Sequence, residues 1–211
     1  MRISITNPNV ISIAKREFQK GSIIVFPTDT SYGLGTVGLK WNDRNIKRIY
    51  EIKSRELDNP LSLLITKTMI SKYIKISSGI QKLLMKVWPG ELTAVLNCDS
   101  RASQTLSSFL NKNNPQKIAF RVPNHNLLLK IIKKVNSPII GTSANRSGSK
   151  PKYDLLSIFQ ELPQEEINLW IDSGRLPQNP PSTVVDLTDP LNPILLRRGR
   201  VDIEKILGSS M

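Results

Sequence analysis

One cysteine, Cys98, in 211 residues leaves no partner for an intramolecular disulfide, and with a single histidine, His125, no Cys/His zinc site can be assembled from this chain. Apolar runs are short: none approaches the ~18 residues of a membrane span, and the N-terminus lacks the apolar stretch of a signal peptide. Acidic residues are scarce beside basic ones, 17 against 30, for a formal net charge of +13. Neither G-x-x-x-x-G-K-S/T nor G-x-G-x-x-G occurs, which excludes a standard P-loop and the dinucleotide-binding fingerprint. Together these absences predict a reducing, cytoplasmic location away from membrane spans, with an anionic partner such as a nucleotide, an RNA or an acidic surface. A lysine-rich composition with no specific role would give the same charge balance. No internal repeat, heptad run or shift in composition divides the chain. One domain over residues 1–211 is therefore expected, long enough to bury a sizeable core.

What is present alternates between helix and strand patterns, predicting an α/β fold. The organising stretch is the apolar run Ile23 to Phe26 followed by Pro27-Thr28-Asp29-Thr30-Ser31-Tyr32-Gly33-Leu34-Gly35, read as a buried strand opening into a polar, glycine-rich loop. Pro27 is expected to end the pairing because it has no N–H to donate, and Gly33 and Gly35 allow positive φ or a close backbone approach. An ordinary turn would use the same residue types. Asn9 is expected to cap a helix bearing Val10, Ile13, Ala14 and Phe18. Asp43 should cap one bearing Ile46, Ile49 and Tyr50, whose end delivers Lys53 and Arg55 beside the face that packs. Further strands are expected at Leu61 to Ile65, Leu92 to Leu96, Ile118 to Val122, Pro138 to Ile140, Ile167 to Ile171, Thr183 to Leu187 and Ile194 to Leu196. Helices are expected around Ile80 to Val87, after an Asn124 cap, around Leu155 to Leu162, and at Ile203 to Leu207. Asn97 to Lys117, polar and weakly periodic, reads as a surface excursion.

The chemistry falls to the loops. Two segments rich in Ser, Thr and Gly follow strands, at Thr28 to Gly35 and at Gly141 to Gly148. With Lys53-Ser54-Arg55, Arg121 and Arg197 they describe a pocket for phosphate and carboxylate groups, which cations neutralise and hydroxyls and backbone N–H groups bind. His125 reads as a helix cap, Cys98, Trp88 and Trp170 as core, and Trp41 as a surface residue. No protein nucleophile or base is evident, so catalysis would rest on positioning and charge stabilisation.

The motifs Pro27 to Gly35, Lys53-Ser-Arg55 with Asn59-Pro-Leu61, Trp88-Pro-Gly-Glu-Leu-Thr93, Arg121-Val-Pro123, Thr142-Ser-Ala-Asn-Arg-Ser-Gly148, Ser182-Thr-Val-Val-Asp-Leu187 and Leu196-Arg-Arg-Gly199 resemble, in order, those of the YrdC-type threonylcarbamoyl-AMP synthases. The resemblance implies an open, twisted, mixed α/β sheet with flanking helices and a basic concave cavity. It also implies conversion of L-threonine, bicarbonate and ATP, with Mg²⁺, into threonylcarbamoyl-AMP and pyrophosphate. The product would supply a threonylcarbamoyl transferase complex that modifies a tRNA adenosine beside the anticodon, with direct tRNA contact a further implied possibility. Carried over by residue, Thr30 and Arg121 would bind threonine. Lys53, Arg55, Asn59, Ser143, Asn145, Ser182 and Arg197 would bind ATP, Lys53 and Arg55 being catalytic, and no residue would be a metal ligand. Gly141 and Lys117 fall near ligands in the family without a side-chain role assigned here. Glu91 stands where the family usually has proline, and Ser54-Arg55-Glu56 replaces its commoner Gly-Arg-Pro. The chain is too short for the second domain that some members append. Two other readings stay open: a non-catalytic RNA-binding protein of the same fold, favoured by the charge, and a paralogue with altered carbamoyl or nucleotide chemistry.

Overall fold

The apolar spacings become elements much where the sequence places them. The computed structural model describes residues 1–203. In chain order these form β1 (Arg2–Ser4), α1 (Val10–Gln19), β2 (Ile24–Pro27), β3 (Tyr32–Gly35), α2 (Asp43–Ile52), β4 (Ser62–Leu64), α3 (Ile70–Tyr73), α4 (Ser78–Val87) and β5 (Leu92–Asn97). There follow α5 (Ser100–Ser103), β6 (Lys117–Arg121), α6 (Asn126–Val135), β7 (Ile139–Ile140), β8 (Thr142–Ser143), α7 (Leu155–Phe159), β9 (Leu169–Asp172), β10 (Thr183–Asp186) and β11 (Ile194–Arg197). The expected helix Ile203 to Leu207 lies, beyond Ile203, outside the described residues. No helix among the described residues is long and apolar enough to cross a membrane.

The mixed α/β architecture is borne out, with the strands in two hydrogen-bonded sheets: five strands ordered β1-β9-β2-β3-β8 and six ordered β11-β10-β5-β6-β4-β7. Each sheet combines parallel pairs, such as β2 with β9 and β4 with β6, and antiparallel pairs, such as β2 with β3 and β5 with β6. The sheets adjoin where β7 runs into β8. There Ile140 N–H donates to the Thr36 carbonyl at 2.7 Å and Gly141 N–H to the Ser62 carbonyl at 2.9 Å, so one short passage of chain serves both sheets. Helices α1 and α6 pack together with their apolar stripes buried, Val10, Ala14 and Phe18 on one and Leu128, Ile131, Ile132 and Val135 on the other. Each such fully buried side chain favours folding by roughly 1.5–3 kcal/mol.

Several expectations are corrected. The pairing does stop at Pro27, but with Pro27 included: it takes the last position of β2, opposite Tyr32, where a missing N–H is tolerated. Tyr32 to Gly35 is a strand rather than a loop, and the turn is only Thr28 to Ser31. Thr28 organises that turn: its hydroxyl donates to the Ser31 carbonyl at 2.6 Å and accepts the N–H groups of Thr30 and Ser31 at 3.1 and 3.2 Å. Asn9 makes no side-chain cap; Asn7 Oδ1 accepts its N–H instead. Asp43 is the first residue of α2, where its charge suits the positive helix end, and Asn42 precedes it. The cap of α6 is His125, not Asn124: its Nδ1 accepts the Leu128 N–H at 3.3 Å, and burial lowers its pKa, which suits that acceptor role. Residues 97–117 are no surface excursion. Ala102, Leu106 and Leu110 are buried, the Leu110 carbonyl accepts the Leu61 N–H at 2.9 Å, and the Phe109 carbonyl accepts the Tyr50 hydroxyl at 2.7 Å. Trp88 and Trp170 are core and Trp41 is exposed, as expected. Cys98 is buried, and desolvation pushes its thiol up to about 11, far from a nucleophile.

The glycines of β3 serve close approach rather than positive φ. A Cβ on Gly35 would stand 1.8 Å from the Ile140 carbonyl oxygen, and one on Gly33 would stand 2.8 Å from the Phe26 ring. Gly35→Ala is therefore expected to lose about 3 kcal/mol, the upper end of overpacking costs, read as a drop in the urea midpoint with m unchanged. An unchanged midpoint would mean that the seam between the sheets yields freely.

Candidate active site

The seam holds a cavity of about 190 Å³. Its wall comes from both sheets: the Thr28–Ser31 turn and Tyr32, Arg55 at the end of α2, Thr93 of β5, Arg121 of β6, Ser143 of β8, and Ser182 with Arg197 from β10 and β11. Three arginines, Arg55, Arg121 and Arg197, line it with no acidic side chain among the lining residues. Arg197 has its pKa lowered first by burial and then by the charges of Arg121 and Arg55, while burial lowers that of Arg55. Guanidinium groups that raise one another's energy in this way make a strong demand for an anion.

Each arginine is aimed by backbone carbonyls. Arg55 donates from Nε to Asn59 O at 3.1 Å and from Nη2 to Pro60 O at 2.8 Å. Arg197 donates to Ser182 O from Nε and Nη2, at 3.1 and 2.8 Å, and Nη2 also reaches Ser182 Oγ at 3.0 Å. That hydroxyl in turn meets Thr93 Oγ1 at 2.8 Å, so the Arg197 guanidinium, Ser182 and Thr93 form one chain of donors and acceptors that runs from the exposed Arg197 to the buried Ser182 and Thr93. Arg121 donates from Nε to Gly90 O at 3.0 Å and from Nη1 to Thr30 Oγ1 at 3.4 Å. Tyr32, on the same wall, donates its hydroxyl to Gly174 O at 2.8 Å, and burial pushes its pKa up to about 12, so it stays neutral.

Of the residues singled out from sequence, Thr30, Arg55, Arg121, Ser143, Ser182 and Arg197 meet on this wall. Lys53 and Asn145 are buried behind it, and Asn59 is exposed at its rim. Lys53 is only 1% exposed, and its ammonium is bound to the backbone carbonyls of Ser143 and Asn145. Burial, aided by the Arg55 charge and opposed by Glu161, pulls its pKa down to about 7. Asn59 contributes its carbonyl to Arg55, and Asn145 Nδ2 donates to the carbonyls of Arg146 and Ser149 at 2.7 and 2.8 Å. These three residues shape the loops that carry Arg55 and Ser143. Lys117 faces Asp186 at 3.6 Å, while Gly141 lines the cavity. Thr28, expected in the pocket as part of the Thr28 to Gly35 segment, is on the wall too, whereas sequence reasoning missed Thr93, Asn179 and the pairing of Asp29 with Arg121. Arg121 has an acidic partner: Asp29 Oδ1 lies 2.8 Å from its Nη2, and both side chains are only 9% exposed. The motif spacing contained no signal for that pair, because Asp29 and Arg121 come from different sheets.

The Sua5_yciO_yrdC family, described as "Telomere recombination", matches residues 16–199. The threonylcarbamoyl-AMP synthase of Pyrococcus abyssi (strain GE5 / Orsay) is 35% identical over 205 residues, covering 94% of this chain and 57% of that protein. The structure of P. abyssi Sua5 complexed with L-threonine superposes with a TM-score of 0.86 at 31% identity, over 99% of this chain and 60% of that one. Escherichia coli YciO superposes with a TM-score of 0.83 at 28% identity, over 98% of both chains. The chain thus spans about three-fifths of the length of the P. abyssi synthase and 98% of that of YciO. With the motifs in order, the cavity at the seam and a family match running through both sheets, this protein belongs to the Sua5/YciO/YrdC family.

Proposed function

We propose that this chain makes threonylcarbamoyl-AMP and pyrophosphate from L-threonine, bicarbonate and ATP. The observation that carries the reading is the cavity lined by three arginines and several hydroxyls with no acidic side chain on its wall. Polyphosphate and carboxylate groups are the ligands that such a wall binds. The threonine found in the P. abyssi Sua5 structure supplies the second substrate class.

In this reading Arg121 and Thr30 hold the carboxylate and hydroxyl ends of threonine, while Arg55, Arg197, Ser143 and Ser182 hold the triphosphate. The amine of threonine condenses with bicarbonate to a carbamate, releasing water. A carbamate oxygen then attacks the α-phosphorus, the bond to the β-phosphate oxygen breaks, and Arg55 and Arg197 neutralise the departing pyrophosphate. Among the described residues no group of three or more His, Cys, Asp or Glu side chains could hold a metal ion, so Mg²⁺ would arrive on the phosphates of ATP itself. Transfer to a tRNA adenosine by a threonylcarbamoyl transferase complex completes the pathway, in the cytoplasm where tRNA is modified.

The test is pyrophosphate release from ATP with threonine and bicarbonate omitted in turn. Release that needs both supports the synthase. A covalent adenylyl-enzyme would refute direct displacement. The likeness to YciO along both chains, rather than to part of a longer synthase, keeps a second reading in view, a paralogue of the same fold with altered carbamoyl or nucleotide chemistry. ATP consumption indifferent to threonine would select that one. Untouched ATP together with tight, salt-steep RNA binding would select a binding protein instead.

A further inference from the structure

The three cavity arginines are not equivalent. Among the described residues Arg55 and Arg197 donate to carbonyls and one hydroxyl and have no acidic partner, whereas Arg121 is paired with Asp29. The inner edge of the Arg121 guanidinium is occupied, Nε by the Gly90 carbonyl and Nη2 by the Asp29 carboxylate, which leaves Nη1 beside the Thr30 hydroxyl on the cavity wall. Asp29 is itself fixed from two directions. Its Oδ2 accepts the Asn124 N–H at 3.0 Å, and its carbonyl accepts Asn179 Nδ2 at 2.9 Å.

We propose that Asp29 is a positioning residue that divides the cavity into two electrostatic ends: a half-neutralised Arg121 end for a single carboxylate and an uncompensated Arg55/Arg197 end for polyphosphate. The naming of the ligands rests on the synthase reading. Without the division, a triphosphate would be drawn equally to all three arginines and would compete with the amino acid for Arg121. With it, Arg121 keeps one directed donor beside a hydroxyl, which suits a small hydroxy amino acid, and attracts phosphate less strongly because the Asp29 carboxylate offsets its charge. The Asp29–Arg121 contact depends on charge rather than on alignment, since neither Asp29 Oδ1 nor Arg121 Nη2 has an aligned hydrogen bond. An amide, with one acceptor oxygen and no charge, can serve either Asn124 or Arg121 but not both.

Calorimetric titration of inorganic phosphate and of L-threonine into wild type, Asp29→Asn and Asp29→Asn/Arg121→Gln tests this. Wild type should bind phosphate at one site without weakening threonine. In Asp29→Asn, threonine affinity should fall about tenfold, the factor carried by ~1.4 kcal/mol. A second phosphate site should appear that competes with threonine and vanishes again in the double variant. Asp29→Glu, which keeps the charge, should exclude the second phosphate, a rescue that a purely structural role would not produce. If Asp29→Asn does not fold, Asp29→Ser replaces it. One phosphate site in every variant, or phosphate already competing with threonine in wild type, would overturn the division. A wild type that ignores threonine would defeat the synthase reading alone, because the number of phosphate sites still decides the role of Asp29.

Discussion

Arg55→Ala is expected to lower kcat for pyrophosphate release by about 10²–10³, the loss that follows removal of one preorganised donor aimed at developing charge. The same change should leave the melting temperature unchanged or raise it. Arg55 shares its end of the cavity with Arg197, which has no acidic partner among the described residues, and its charge contributes to lowering the pKa of Arg197. Its own hydrogen bonds go to the carbonyls of Asn59 and Pro60 at the cavity rim, which water can satisfy once the side chain is gone. Removing it therefore relieves repulsion at little structural cost, the usual sign of a group kept for function rather than for folding. ATP at 100 times its Kd should stabilise wild type by about 2.7 kcal/mol through linkage, and this shift should shrink in the variant. Thermal melts with and without ATP, beside the pyrophosphate assay, check both halves. Full activity, or an undiminished ATP shift, would remove Arg55 from the phosphate end.

The helices were legible because a stripe repeating every three or four residues has one packing solution, and α1, α2 and α6 bury the residues their spacing nominates. The cations of the cavity were legible too, since Arg55, Arg121 and Arg197 each sit at the end of an element whose period could be read. What escaped reading depends on distant parts of the chain. Tyr-Gly-Leu-Gly has the composition of a turn, and it becomes β3 only because the Phe26 ring and the Ile140 carbonyl occupy the space where side chains at Gly33 and Gly35 would stand. Between residues 97 and 117, Ala102, Leu106 and Leu110 are buried from separate short turns, and no helix runs long enough to display a period. The partners of Arg121 and Lys53 lie some 90 residues away in sequence. Local pattern delivers a charged side chain to a face but does not say what it meets there.

Lys53 is where that distinction has its largest consequence for stability. Its ammonium joins the end of α2 to the carbonyls of Ser143 and Asn145, and the Ser147 N–H returns a bond to the Lys53 carbonyl at 2.7 Å. Lys53→Met keeps most of the side-chain volume but strands two carbonyls, one part-buried and one buried, each costing about 1–3 kcal/mol, for a total of about 2–6 kcal/mol. In a chain of this size that is a melting temperature lower by about 4–24 °C. The pH dependence identifies the cause. The folded state holds the Lys53 pKa at about 7 against an ordinary 10.5, so between those values the unfolded chain binds a proton that the folded one does not. The cost of burying the charge is complete below pH 7 and is relieved as pH rises toward 10.5, so this site gains stability with pH. Because methionine has no proton to lose, the deficit of the variant relative to wild type should grow between pH 6.5 and pH 9.5, as urea unfolding at the two values would measure. Parallel stability profiles would mean that Lys53 keeps its proton throughout that range. A variant of undiminished stability that no longer gains stability from ATP would restore Lys53 to direct phosphate contact, as the family resemblance implies, in place of the loop anchor supported by its two carbonyl partners.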